Sequence, residues 1–207
     1  MNVFSPPNTG VQYDCVPAIA NKILDLFAFA ISTRARSLFI RFDLMFPDNG
    51  FPYDEPEIFK SFMHLYIKDR IRHGFGDLYY VAVREKVTAD HGHYHVFILL
   101  NGNATRNLYG HMEKAKEIWA KRFPGYPPNS GLLNYRSHNA NNGLMLRRHD
   151  PDFDATLQEC LNQAFYLAKV YSKDRFNKHG RSWSSTINIP KRRYDAFPPG
   201  VDTTFNS

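Results

Sequence analysis

Between Ser37 and Phe46 the apolar residues fall on alternate positions. Leu38, Ile40, Phe42, Leu44 and Phe46 alternate with Phe39, Arg41, Asp43 and Met45. Successive side chains on a strand point to opposite faces, so this pattern predicts a strand with one aliphatic face. Pro47-Asp48-Asn49-Gly50 closes it with turn residues. Two more strands are predicted, Leu78 to Glu85 and His93 to Leu100. Only Lys86–Gly92 separates them, which makes them an antiparallel hairpin.

Helical spacing accounts for the remaining long segments. From Pro17, the residues Ile19, Ile23, Leu26, Phe27 and Ala30 share one side. From Glu55 to Arg72 the stripe is Phe59, Phe62, Met63, Tyr66 and Ile67. A third helix carries Leu108, Met112, Ala115 and Trp119. A fourth, with Asp154 as the predicted N-cap, carries Leu157, Leu161, Ala164, Phe165 and Ala168. Short extended pieces near Leu132 and Leu144 flank the turn signal Asn141-Asn142-Gly143. This order predicts an α+β fold, a central antiparallel sheet flanked by helices. We expect one domain over residues 1–190, with a loose start over 1–16. Residues 191–207 read as a basic, proline-containing tail, mobile from Pro198 onward.

The chain has 207 residues, enough for one core, and 43% of them are hydrophobic, which excludes a disordered chain. A net charge of +6 favours a polyanionic partner, nucleic acid before membrane. No apolar run is long enough to span a bilayer, and Met1–Gly10 lacks a basic region before an apolar stretch, so neither a membrane span nor a signal peptide is expected. Cys15 and Cys160 are too few for a disulfide framework, and a reduced, cytoplasmic setting is expected.

On the strand from His93, alternation sends His93 and His95 to one face and Tyr94, Val96, Ile98 and Leu100 to the other. Two imidazoles one residue apart can chelate one metal ion. The hairpin sets Glu85 across from His93, where Cβ atoms of cross-strand partners lie about 4.5–5.5 Å apart. Glu85 would add an oxygen ligand, and such a mixed set suits Mn²⁺ or Mg²⁺. His91, two residues before His93, competes as the third ligand. Asp43 has two readings. It orients a histidine or a metal-bound water if its strand neighbours the histidine strand, or it pairs with Arg41 or Arg84.

On the fourth helix Tyr166, Lys169 and Lys173, at i, i+3 and i+7, share a side. A phenol beside two ammonium groups suits attack on a phosphodiester, because the cations attract the DNA backbone. Tyr171, five residues on, is turned off that side and reads as packing.

Together these residues resemble the HUH endonuclease superfamily. They are most similar to the replication initiators of filamentous phages and related prophage proteins of the YagK/YfjJ-like group. The matching stretches are Leu38-Phe39-Ile40-Arg41-Phe42-Asp43-Leu44, Gly92-His93-Tyr94-His95-Val96-Phe97-Ile98-Leu99-Leu100-Asn101-Gly102-Asn103, and Tyr166-Leu167-Ala168-Lys169, with Lys173 and Gly180-Arg181 after them. The resemblance implies a palm-like, RRM-type sheet with the histidine strand central. It also implies a nick in one strand of origin DNA, single-stranded or supercoiled, that leaves Tyr166 on the 5′ phosphate and a free 3′-OH for a host polymerase. Histidines ahead of the tyrosine match replication initiators and single-tyrosine transposases. No Gly-x-x-x-x-Gly-Lys-Ser/Thr loop is present, so a host helicase would separate the strands. Two readings compete: a basic module that binds nucleic acid without cutting it, and a single-tyrosine transposase.

Overall fold

The computed structural model describes residues 3–4, 13–49, 53, 55–85, 92–135, 143–169, 183–186 and 197–203. Strand β1 (Val3–Phe4) pairs with β2 (Tyr13–Asp14), and helix α1 (Pro17–Thr33) follows. Then come β3 (Arg36–Met45), α2 (Glu55–Arg72), β4 (Tyr79–Glu85), β5 (His93–Asn101) and α3 (Leu108–Ala120). The chain continues through β6 (Leu133–Asn134), β7 (Gly143–Arg147), α4 (Phe153–Phe165), a 3-10 turn (Tyr166–Ala168) and β8 (Trp183–Ser185).

The six strands β3 to β8 form one sheet in the order β6-β3-β5-β4-β8, with β7 also paired to β3. Every pairing is antiparallel. Among the described residues, the short pieces β6 and β7 do not pair with each other. Both lie along β3, β6 beside Asp43 and Leu44 and β7 beside Arg36 to Ile40. Residues 141 and 142 of the predicted turn lie outside the described residues.

Alternation on β3, β4 and β5 sorts the core into two clusters. Phe39, Val81, Val83, Phe97 and Leu99 pack under α1 and α4 with Ile23, Phe27, Leu161 and Phe165. Leu38, Ile40, Phe42, Val96, Ile98 and Leu100 pack under α2 and α3 with Phe62, Tyr66, Met112 and Trp119. Both faces are therefore covered, and the period-2 pattern decides which cluster each strand residue joins. Trp119, fully buried, donates its indole N–H to the Met45 carbonyl at 3.0 Å, which ties α3 to the end of β3.

Four expectations are corrected. Asp152, not Asp154, is the N-cap of α4, and Asp154 sits in the first turn, where a carboxylate meets the helix dipole favourably. The start is not loose throughout, since β1 pairs with β2 and Cys15 is buried. The tail is docked over 197–203: Val201 is buried in the α1/α4 cluster, and the Asp202 N–H donates to Gln158 Oε1 at 2.7 Å. Finally, β8 extends the sheet on β4, where no strand is predicted. Among the described residues, no helix is long and apolar enough to cross a membrane.

Candidate active site

The hairpin register sets Glu85 opposite His93, and the β3–β5 register sets Asp43 opposite His95. All four side chains project on the α1/α4 face at one end of the sheet. His93 Nε2 and His95 Nε2 lie 3.1 Å apart. Glu85 Oε2 is 3.2 Å from His95 Nε2 and 3.9 Å from His93 Nε2. Donors held at about 2.0–2.2 Å by one small divalent ion lie ~3 Å from each other. The three atoms fall close to that spacing, and all lie within 4.8 Å of one another, so Glu85, His93 and His95 fit a metal ion.

Asp43 Oδ1 lies 2.6 Å from His95 Nδ1, the contact an orienting role requires, whereas Arg84 lies 3.7 Å from Glu55 on the other face. If Nδ1 carries the proton and donates it to Asp43, Nε2 keeps its lone pair for a cation. Burial works to lower the His95 pKa, but its hydrogen bonds to Asp43 and Glu85 and the charges of both carboxylates together outweigh it and raise the net value. The half-exposed His93 is shifted down, first by burial and then by His95 beside it.

Tyr166 reaches the same place from α4. Its ring stands edge-on to His95, with centroids 5.8 Å apart. Lys169 Nζ donates to Tyr166 Oη at 3.4 Å and lies 4.6 Å from the ring centre. The predicted pair is therefore together, though not through a continuous α-helix. The α-helix ends at Phe165, a 3-10 turn carries Tyr166, and Lys169 is already extended at φ −57°, ψ 134°. Lys173, with Tyr171, His91, Gly180 and Arg181, lies outside the described residues.

Three features escaped the sequence reading. The Val16 N–H donates to the Ala168 carbonyl at 2.7 Å and Cys15 bridges Lys169, so the first residues strap the tyrosine turn. Gly92 donates its N–H to Glu55 Oε1 at 2.9 Å, and a Cβ there would sit 2.7 Å from Glu55 Oε2. A Cβ before His93 would thus force the Glu55 carboxylate to shift, and nothing in the sequence links Gly92 to Glu55, 37 residues earlier. The third is Arg41, whose guanidinium carbon lies 4.6 Å from the Tyr166 ring centre. Alternation alone would have placed it on the face of Asp43.

Neither the curated proteins nor the solved structures contain a match to this chain. The family model described as the YagK/YfjJ C-terminal domain matches residues 7–184. That span takes in the strands from β2 to β7, the start of β8, the Glu85–His93–His95 group and Tyr166, and the chain belongs to the YagK/YfjJ C-terminal domain family.

Proposed function

We propose that this protein is a metal-dependent, site-specific DNA-nicking enzyme of the HUH type that initiates rolling-circle replication. The carrying observation is the convergence of Tyr166 on the Glu85–His93–His95 group, with its ring 5.8 Å from that of His95. A phenol beside a metal-type donor set and a lysine is the equipment for phosphodiester attack. The family supports the reading, as does the resemblance to phage initiators.

The reaction is a transesterification. The Tyr166 Oη–phosphorus bond forms, the bond from phosphorus to the 3′ oxygen breaks, the phenol releases its proton, and the 3′ oxygen leaves as a hydroxyl. A divalent Mn or Mg ion held by Glu85, His93 and His95 would supply Lewis-acid polarisation of the phosphate. Asp43 holds His95 in its donor tautomer and orientation. Lys169, hydrogen-bonded to the phenol oxygen, places a positive charge where a DNA backbone must approach. The substrate would be single-stranded or supercoiled origin DNA, and a host helicase and polymerase would act on the freed 3′ end.

The test uses tiled single strands covering the DNA that flanks the coding sequence, incubated with the protein and Mn²⁺. The reading expects an SDS-stable protein–DNA adduct from one tile, absent with EDTA and absent in Tyr166→Phe. Joining of two DNA ends would instead identify a transposase. Salt-sensitive, metal-independent binding with no adduct from any tile would identify a binding module and overturn the reading.

A further inference from the structure

Arg41 differs from the other charged groups around Tyr166. It lies on β3 opposite Phe97, two residues before Asp43, and so projects on the histidine face. The nearby carboxylates are engaged elsewhere, Asp43 with His95 and Glu85 with the histidines. Among the described residues, no ion pair or hydrogen bond engages Arg41; its contact is with the Tyr166 ring at 4.6 Å. Stacking uses the flat face of a guanidinium and leaves its N–H edges free. Those edges match two oxygens of a phosphate, which an ammonium cannot do bidentately.

We propose that Arg41 is a phosphate-binding residue that grips the non-bridging oxygens of a DNA phosphate at, or next to, the bond Tyr166 attacks, with the Tyr166 ring as its platform. The inference rests on the nicking reading above. It divides the labour around the phenol: both cations lie 4.6 Å from the ring centre, but Lys169 also contacts the Tyr166 oxygen, while Arg41 keeps its N–H edges for the strand. A guanidinium fixed on a β-strand also sets register, because β3 is paired on both sides and Arg41 cannot slide along it.

The experiment measures binding without cleavage, in Tyr166→Phe protein, using a fluorescein-labelled single strand of the adduct-forming tile across a KCl series. Arg41→Met is expected to weaken binding several-fold and to make the slope of log K against log salt shallower by about 0.7, the release expected for one phosphate contact on a single strand. Arg41→Lys should keep the slope and lose part of the affinity. An unchanged slope and affinity in a folded Arg41→Met protein overturns the proposal and leaves Arg41 as packing for Tyr166. If Arg41→Met folds poorly, methylphosphonates are placed singly along the strand. One position should weaken binding to the Arg41 protein and lose less with Arg41→Lys; equal losses at every position overturn the proposal. If no tile forms an adduct, the tightest-binding tile is used instead, and an Arg41-dependent slope on it counts against the nicking reading alone. A wild-type chain that binds no strand sinks both.

Discussion

His95 and His111 are buried on opposite faces of the sheet, and their differences separate a candidate ligand histidine from a structural one. His111 on α3 is 1% exposed and has both ring nitrogens matched by protein: Arg70 donates to Nδ1 at 3.2 Å, and Nε2 lies 2.9 Å from Thr105 Oγ1. Burial first, and then the Arg70 charge, push its pKa down to about 4. Phe75 packs edge-on against it, with centroids 4.7 Å apart. His95 is 8% exposed, yet its Nε2 faces another imidazole nitrogen and a carboxylate. Two lone-pair donors and an anion at about 3 Å are mutually repulsive unless a proton or a cation lies among them. Burial is common to both groups. What the nitrogens face is not: an arginine at His111 excludes a metal, and the carboxylates around His95 invite one.

The strongest way to break this contrast is to remove each group in turn. His93→Ala/His95→Ala should lower Mn²⁺ affinity at least about 1,000-fold in calorimetry, as two of the three protein ligands are lost, while His111→Phe should leave it within ~2-fold. Comparable losses in both variants would erase the distinction. Next comes Asp43→Asn, which keeps a hydrogen-bond acceptor but removes its charge. It should cost about 10–100-fold in metal affinity, the usual effect of an outer partner on a metal-bound histidine.

The structural group answers in stability instead. His111→Phe leaves the Arg70 N–H without its acceptor and should cost about 1–3 kcal/mol at pH 7 in urea unfolding. It should also change the pH response. A histidine near 6.5 when unfolded and about 4 when folded binds fewer protons in the native state. Its contribution is fully present above pH 6.5 and is lost as pH falls toward 4. The wild type should lose stability across that window more steeply than His111→Phe; parallel curves would contradict this. The smallest effect is expected from Gly92→Ala. The added Cβ must displace the Glu55 carboxylate, so Mn²⁺ affinity should fall a few-fold through the shifted start of β5.

The grouping of Glu85, His93 and His95 was legible because a hairpin is a local object. The short loop fixes the register, the register sets Glu85 against His93, and alternation supplies the common face. Asp43 was half legible. Its face followed from the same alternation, but its partner depended on β3 lying beside β5, a long-range pairing that β3 alone does not encode. The tyrosine half was misread in form. Leu167 and Ala168 are good helix formers, so local propensity continues the helix; the chain leaves it because Lys169 pairs with Cys15, 154 positions earlier. Strand β8 and the docking of Val201 were missed for a related reason: three residues, or one, carry no period to detect. The His111 network drew no notice because a single histidine on a helix has no spacing to mark it.

The account's central claim is that Tyr166 attacks DNA beside the Glu85–His93–His95 group. Its most direct test is mass spectrometry of proteolysed protein after incubation with Mn²⁺ and the reactive strand. The account predicts a nucleotide-modified peptide carrying the phosphate on Tyr166, absent when EDTA replaces the metal. A modified peptide that maps to another residue, Tyr171 included, or one that forms equally well in EDTA, would contradict it.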